Sequence, residues 1–296
     1  MVNYGFEVLL ARYQQPGYYN DPDFLTIDWP WLTLDEKRSH FALWSSFSAP
    51  LIISAYVPDL TAAELAYLTN KDIIAIDQDA LALQATLVSQ DGYFDVLTKS
   101  LSNGDRLLTV LNRGDERNST IVTAERIGLD ASQAYTVKDL WSGKSATFKG
   151  AGLVTLDSHA TAIYRISGVE TVISTGMIFN TASMKCMTAR GSTIAFSDCN
   201  ASDEQVWRVS AHGSISPLSS SDSCLESIDG VAKLTECSGS SGSSGWIYHV
   251  TGNVIHAATG QCLQVNGGHV GSCGEERDRQ VFGLPSGVVV VRGNTI

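Results

Sequence analysis

The fold of the C-terminal region follows from the stretch GSISPLSSSDSCLESI, residues 213–228. Its serines, its glycine and its short apolar runs are typical of β-strands joined by turns rather than of helices. The same layout occurs three times, because cysteines recur every 38 residues, from Cys186 to Cys224 to Cys262. A period of about 40 residues indicates one supersecondary β unit that is used three times.

Each of these cysteines has a neighbour 11 or 13 residues later, and an aromatic residue follows that neighbour by 8 or 9 residues. The second cysteines are Cys199, Cys237 and Cys273, and the aromatic residues are Trp207, Trp246 and Phe282. Six cysteines alone would leave many pairings open. The repeat predicts one disulfide inside each unit, which stabilises the fold by about 3 kcal/mol. It also predicts that the three aromatic residues lie in the core.

Three β units that each bury one aromatic residue can close around a pseudo-threefold axis, which predicts a β-trefoil. The Cys-Leu pairs and the Gln-x-aromatic frames, Gln205-Val206-Trp207 and Gln280-Val281-Phe282, resemble the ricin B-chain lectin family. The resemblance covers about residues 172–290. It implies a carbohydrate-binding domain with shallow pockets for galactose-type sugars, at most one in each repeat.

The resemblance also implies an aspartate two residues after each first cysteine, and a polar residue before each Gln-x-aromatic frame. The first positions hold Thr188, Glu226 and Gln264, and the second positions hold Glu204, Ser243 and Arg279. No repeat matches in full. Two interpretations therefore stay open: one weak working site, with Glu226 keeping a carboxylate, or a trefoil that is kept for its fold alone.

Two capping boxes in the N-terminal part, Thr33–Glu36 and Thr61–Glu64, predict helix starts, and the second helix is expected to end near Leu68. The apolar run Ala49–Val57 between them has the length of a buried strand. The first helix would place three aromatic residues on one face: Phe41, Trp44 and Phe47. Alternating strands and helices are typical of a parallel (β/α)₈ barrel, which needs ~250 residues. Residues 1–80 therefore predict only the last βα units of such a barrel.

Residues 82–168 change to alternating apolar and polar positions and predict an antiparallel β-sandwich. Strands are expected at Tyr93–Thr98, Arg106–Asn112, Thr120–Arg126, Ala134–Leu140 and Ala160–Ile166. The pair Asn103-Gly104 favours a two-residue hairpin turn. Residues 167–176 are expected to link the sandwich to the trefoil, so the fold class is α/β followed by all-β.

The residues most suited to chemistry form the run Asn20-Asp21-Pro22-Asp23-Phe24, placed between a predicted strand and a helix. In a (β/α)₈ barrel this is a loop at the face where active sites lie. Its carboxylates suit sugar hydroxyls or acid–base work. The alternative interpretation is an Asx-Pro turn that only shapes the loop.

Three runs, YYNDPDFL, KRSHFALWSSFSAPLIIS and LTNKDIIAIDQD, resemble glycoside hydrolase family 27 over about residues 10–168. This resemblance implies secreted α-galactosidases, and the added trefoil is similar to fungal members. It implies hydrolysis with retention by two aspartates ~5–5.5 Å apart, both upstream of this chain, so no catalytic residue is assigned here. It implies a substrate-binding loop of Asp21, Asp23 and Phe24, in which Asp23 contacts the galactose with Phe24 beside it, while Asn20 and Asp21 hold the shape of the loop. His40 is expected to be structural.

Composition argues against several other functional classes of protein. The net charge of −11 disfavours nucleic acid and anionic membranes as partners, and no apolar run approaches the ~20 residues of a membrane span. We expect no metal and no cofactor. Six cysteines and the sequons at Asn118 and Asn200 favour secretion of a glycoprotein.

The N-terminus shows no signal-peptide pattern, so the expectation is an N-terminally truncated α-galactosidase that is inactive alone and binds galactose-containing saccharides. The alternatives are a non-catalytic, lectin-like carbohydrate-binding protein and a fragment without function. The oligomeric state is not predicted.

Overall fold

The computed structural model describes residues 2–237, 245–274, 276–283 and 285–293. The chain divides into two compact units. The first comprises Met1–Thr86 and Gly92–Thr171, and the second comprises Leu87–Asp91 and Val172–Ile296.

Four helices and eight strands precede residue 168. The helices are α1 (Val2–Glu7), α2 (Leu34–Phe47), α3 (Ala62–Leu68) and α4 (Lys71–Asp77), with 3₁₀ turns at Ala11–Tyr13, Val57–Asp59 and Glu125–Ile127. The strands are β1 (Thr86–Gln90), β2 (Phe94–Ser100), β3 (Arg106–Asn112), β4 (Asn118–Thr123), β5 (Ala134–Asp139), β6 (Ser145–Lys149), β7 (Ala151–Leu156) and β8 (Thr161–Ser167).

Both predicted helix starts are confirmed. Thr33 Oγ1 accepts the Glu36 N–H at 3.2 Å, while the Glu36 carboxylate accepts the Thr33 N–H at 2.8 Å. Thr61 and Glu64 form the same reciprocal pair at the start of α3. The three predicted aromatic residues of α2 are buried. Helix α4 was not predicted, although the Asn70 side chain caps it by accepting two backbone N–H groups.

The strand predicted over Ala49–Val57 is wrong. The segment makes a single parallel bridge, Leu25 to Ile53, closed by the Leu25 N–H to Ile52 O at 2.8 Å and the Ser54 N–H to Leu25 O at 2.9 Å. Parallel strands are normally covered on both faces. Here Ile52 and Ile53 are exposed. The apolar run is therefore not covered in the way that would stabilise a longer parallel strand pair.

The strands of the first unit are antiparallel. Strands β2, β3, β8, β5 and β6 lie in this order in one sheet, and β4 pairs with β7 in another. The predicted two-residue hairpin at Asn103-Gly104 is wrong. The Leu101 N–H bonds to Asp105 O at 2.9 Å, which leaves three residues in the turn. Gly104 takes φ +89°, the left-handed position that three-residue hairpin loops require.

Two further boundaries differ from the predictions. Strand β4 begins at Asn118 and ends at Thr123, because the 3₁₀ turn Glu125–Ile127 interrupts the run expected up to Arg126. The linker expected at 167–176 is shorter, because β8 ends at Ser167 and the next strand begins at Ser174.

A buried lysine ties the helices to the sheet of the first unit. Lys99 Nζ on β2 donates to Ser48 Oγ at 2.7 Å, just after α2, and to Ile76 O at 3.1 Å in α4. Burial lowers the pKa of Lys99 to about 7, and the nearby Asp77 opposes this shift. Because the ammonium has polar partners, the desolvation cost of placing it there is partly offset.

The second unit is built from short strands. They are β9 (Ser174–Met177), β10 (Cys186–Arg190), β11 (Thr193–Ser197), β12 (Val206–Val209), β13 (Ile215–Pro217), β14 (Ser223–Ile228), β15 (Val231–Glu236), β16 (Trp246–His249), β17 (Val254–His256), β18 (Cys262–Leu263), β19 (Val270–Gly271) and β20 (Val290–Val291). They form sheets in the orders β10-β11-β15-β14, β13-β12-β9 and β19-β18-β17-β16-β20. Disulfides join Cys186 to Cys199, Cys224 to Cys237 and Cys262 to Cys273, as the repeat predicted.

The aromatic residues of the three repeats meet in one core cluster, as predicted. Trp207 and Phe282 are fully buried, and Trp246 is nearly so. Trp207 Nε1 donates to Met187 O at 2.9 Å, and Trp246 Nε1 donates to Leu225 O at 2.7 Å. Each acceptor follows the first cysteine of its repeat, so the two repeats satisfy their indoles in the same way.

The glutamine of the Gln-x-aromatic frame holds the backbone around the second cysteine. Gln205 Nε2 donates to Asp198 O at 2.9 Å, and Gln205 Oε1 accepts the Asn200 N–H at 2.8 Å. Gln280 makes the same two bonds to the residues on either side of Cys273, at 2.7 and 2.5 Å. The amide is suited to this role because it donates and accepts at once.

We expect Gln205→Ala to lower the free energy of unfolding of the second unit by about 1–3 kcal/mol, since it removes the side-chain partner of two partly buried backbone groups. The matched control is Gln261→Ala, because the Gln261 side chain is exposed. Urea unfolding followed by tryptophan fluorescence measures both. Equal losses in the two variants would contradict the structural role of Gln205.

Candidate functional site

Asn20 fixes the position of the loop that carries the two carboxylates. Its Nδ2 donates to Leu10 O at 2.9 Å and to Gln84 Oε1 at 2.7 Å, and its N–H donates to Gln14 Oε1 at 2.7 Å. The residues before the loop form the 3₁₀ turn Ala11–Tyr13 rather than the predicted strand. Asn20 therefore shapes the loop through two side-chain hydrogen bonds and one from its backbone N–H.

The next residues of the loop expose a carboxylate beside an aromatic ring. Asp21 Oδ1 accepts the Asp23 N–H at 3.0 Å, and Asp23 Oδ1 accepts the Phe24 N–H at 2.7 Å. Trp44 Nε1 of α2 donates to Asp23 O at 2.7 Å. Asp23 has φ +80°, a strained value for a residue with a side chain, and such strain is often found at functional sites.

This loop exposes groups that are suited to binding a ligand. Asp21 and Asp23 are exposed and Phe24 is 51 % exposed, so the three predicted sugar-contacting residues share one solvent-facing loop. The structure gives Asp23 Oδ2 no partner among the described residues. This oxygen can accept a hydroxyl proton while the ring of Phe24 offers an apolar face.

A buried acid beneath this loop was missed by the sequence analysis. Glu7 on α1 is 2 % exposed, and its Oε1 has no hydrogen-bond partner among the described residues. Burial, and then the charge of Asp21, raises the pKa of Glu7 to about 7. Nothing in its local sequence distinguishes it from a surface glutamate on a short helix.

His40 lies on α2, with its ring 4.2 Å from the ring of Trp44 in an edge-on arrangement. Burial lowers the pKa of His40 to about 4, so it is neutral at pH 7. This agrees with the structural role predicted for it.

The positions expected to bind sugar in the second unit differ from one another. Thr188 is 7 % exposed and its hydroxyl accepts Gln205 Nε2 at 3.0 Å, so it is occupied within the protein. Glu226 is half-buried on β14, opposite Lys233 on β15. Gln264 is also half-buried.

The positions that precede the aromatic frames offer fewer groups for binding a sugar. Glu204 is exposed, and Arg279 forms an exposed ion pair with Glu276 at 3.6 Å. Ser243 lies outside the described residues. Among the positions two residues after the first cysteines, Glu226 is therefore the one that offers a carboxylate.

Both sequons are accessible. Asn118 begins β4 and is partly exposed, and Asn200 is exposed next to Cys199. In the described part of the chain, no group of histidine, cysteine or acidic side chains is arranged to hold a metal ion. None of the described helices has the length and hydropathy that a membrane span needs.

The hydrogen bonds of the loop distinguish Asn20, which holds the loop in place, from Asp23, which faces solvent. We expect Asn20→Ala to lower the free energy of unfolding by about 1–3 kcal/mol, because it leaves Gln84 without a donor. Asp23→Asn, the matched comparison, should change it by less than about 0.5 kcal/mol. Chemical denaturation of both variants tests this, and a larger loss for Asp23→Asn would reverse the assignment.

The raised pKa of Glu7 predicts a pH effect. The folded state holds this proton more tightly than the unfolded chain, whose pKa is near 4.5. The stabilisation is therefore complete below pH 4.5 and is lost as the pH rises through about 7. Glu7→Gln should flatten the decline, measured by urea unfolding at several pH values. Exposed Glu116→Gln is the control, and an unchanged slope in Glu7→Gln would refute the effect.

Three family models match successive parts of the chain. The model described as Alpha galactosidase A matches residues 6–79, the Alpha galactosidase C-terminal beta sandwich domain matches 91–166, and the Ricin-type beta-trefoil lectin domain matches 174–282. The matches follow one another along the chain in the order that the motifs predicted.

Individual relatives agree with these models. Alpha-galactosidase A of Aspergillus niger is 51 % identical over 294 residues, covering 97 % of this chain and 54 % of the relative. Probable alpha-galactosidase A of Aspergillus oryzae is 52 % identical over 293 residues, covering 98 % and 54 %.

Solved structures show the same fold over part of the chain. Alpha-galactosidase I from Mortierella vinacea aligns with a TM-score of 0.54 at 24 % identity, over 56 % of this chain and 44 % of that one. A putative alpha-galactosidase/melibiase from Bacteroides fragilis aligns with a TM-score of 0.52 at 27 % identity, over 56 % and 38 %. Over nearly its whole length the chain is similar to these alpha-galactosidases, and it spans about half the length of the curated relatives it matches.

Proposed function

We propose that this chain is the C-terminal part of a secreted α-galactosidase that hydrolyses terminal α-galactosides with retention, and that alone it binds such sugars without cleaving them. The observation that carries the proposal is the identity of about half of all residues to proteins named alpha-galactosidase A, over nearly the whole chain. The aligned residues extend through all three matched regions.

In this proposal residues 1–80 are the last βα units of a (β/α)₈ barrel. The parallel bridge from Leu25 to Ile53 supports it, since consecutive barrel strands pair in parallel. Asp23 and Phe24 lie directly before the bridge residue Leu25, in an exposed loop. Two further aromatic side chains of this region are exposed, Trp29 at 56 % and Tyr56 at 65 %.

The absence of cleavage follows from what a retaining mechanism needs. Two carboxyl groups ~5–5.5 Å apart must act as nucleophile and as acid–base. The family resemblance assigns neither role to a residue of this chain. Asp21 and Asp23 each use one oxygen to accept a backbone N–H, which suits them to positioning a hydroxyl. Sugar-positioning groups cannot replace a missing nucleophile.

The second unit is proposed to be a ricin-type β-trefoil that binds galactose-containing saccharides through its second repeat. Three disulfide-closed repeats with a common aromatic core support the trefoil. Glu226 supports the choice of repeat, because Thr188 is buried against Gln205 while Glu226 offers a partly exposed carboxylate. A lectin-like role without any hydrolase partner is the second candidate, and the same residue favours it.

Secretion and glycosylation are part of the proposal. Three disulfides suit an oxidising compartment. The two sequon asparagines, Asn118 and Asn200, are reachable for a glycan.

The test uses the whole purified chain. Hydrolysis of p-nitrophenyl α-galactoside is expected to stay at the background rate, while the chain is retained on galactose-agarose and eluted by free galactose. Glu226→Gln should reduce retention to a small fraction of that of the unaltered chain. Glu236→Gln, an exposed glutamate in the same repeat, should leave it unchanged.

Each result has a separate meaning. Measurable hydrolysis by the chain alone would refute the non-catalytic assignment. Lack of retention by the unaltered chain would refute sugar binding by the trefoil. Retention that survives in Glu226→Gln would place the binding site outside the second repeat.

A further inference from the structure

A groove in the first unit lies apart from the loop at Asn20–Phe24. It runs between the start of α2 and the chain that leaves β7, and its volume is about 190 Å³. Its wall includes Asp35, Arg38, Trp141, Thr155, Asp157 and Ala160. Pockets for drug-sized ligands have volumes of ~300–1,000 Å³, so this groove suits a single small ring.

The aromatic part of the wall is held in a fixed orientation. Trp141 Nε1 donates to Thr161 O at 2.8 Å, and the guanidinium carbon of Arg38 lies 4.4 Å from the centre of the Trp141 ring. The stacking fixes the plane of the guanidinium. No hydrogen bond from the Arg38 N–H groups occurs among the described residues, so these donors are available at the wall.

The carboxylates in the groove wall also have few hydrogen-bond partners. In the described structure the Asp35 carboxylate has no side-chain partner. Asp157 Oδ1 accepts Arg117 Nη1 at 3.0 Å, in an exposed pair. Asp35 and Arg38 are one helical turn apart on α2, yet they do not form an ion pair in the described structure. Oriented donors and acceptors therefore face the same small space.

This mixture of groups selects the chemistry of the ligand. Two carboxylates repel an anion, and the guanidinium repels a cation. A neutral ring with several hydroxyls satisfies both, because each hydroxyl donates to a carboxylate or accepts from a guanidinium. Hydrogen bonds to charged groups are the stronger ones, and Trp141, which lines the groove with Arg38 over its ring, adds apolar surface beside the sugar.

We propose that this groove is an additional carbohydrate site, which binds one neutral hexopyranose unit through Trp141, Arg38 and Asp35. The site is separate from the loop at Asp23 and from Glu226 of the second unit. It does not depend on the proposed hydrolase function or on sugar binding by the trefoil.

The test is an NMR titration of the whole ¹⁵N-labelled chain with galactose and, separately, with glucose. The indole N–H signal of Trp141, assigned by triple-resonance experiments, is expected to shift and saturate in the millimolar range. Asp35→Ala should weaken the apparent affinity at least about tenfold, as expected for a hydrogen bond to a charged group. Arg38→Lys, which keeps the charge without the planar fork, should also weaken it.

Asp59→Ala is the matched control. Asp59 also lies in the first turn of a helical segment, and it is exposed outside the groove. The proposal is overturned if neither sugar shifts the Trp141 signal, if Asp35→Ala leaves the titration unchanged, or if inorganic phosphate saturates the shift and the sugars do not. Binding in the second repeat reports on Trp246, so failure there is distinguished from failure here.

Discussion

The burial of helix α2 is the constraint on which the first unit depends. One face of the helix carries Phe41 and Phe47 into the core. Its C-terminal end is held by Lys99 through Ser48, and its Trp44 indole bonds to the loop carbonyl of Asp23. The same helix therefore supports the sheet on one side and the exposed carboxylate loop on another. A loop residue at positive φ can persist because the surrounding bonds determine its backbone.

The second unit is stabilised differently, because its strands are too short to bury much surface individually. Each repeat closes a loop with a disulfide and sends one aromatic side chain into a shared core. The glutamines at 205 and 280 then satisfy the backbone beside the second cysteine. The disulfide, the buried aromatic residue and the glutamine hydrogen bonds of a repeat all stabilise the same short segment. This explains why the Cys and Gln-x-aromatic motifs occur together in sequence.

The proposed function separates binding from catalysis in this chain. The loop at Asp23, the second repeat at Glu226 and the groove at Trp141 all present polar groups beside partly exposed surface, and each is suited to holding a sugar. Cleaving a glycosidic bond needs a second carboxyl group at a defined distance, with its own pKa. Glu7 has a raised pKa, but it is buried beneath the loop, so its titration affects stability.

Local patterns by themselves determined much of the architecture. The capping boxes at Thr33 and Thr61, the three disulfides and the buried aromatic residues follow from short-range spacing, which sequence displays directly. Tertiary structure alone decided the rest. The apolar run Ala49–Val57 has strand composition but forms one bridge, because a strand requires partners that composition cannot supply. Glu7 became a buried acid, and Trp141 joined Asp35 and Arg38, because packing brings together residues that are distant in the chain.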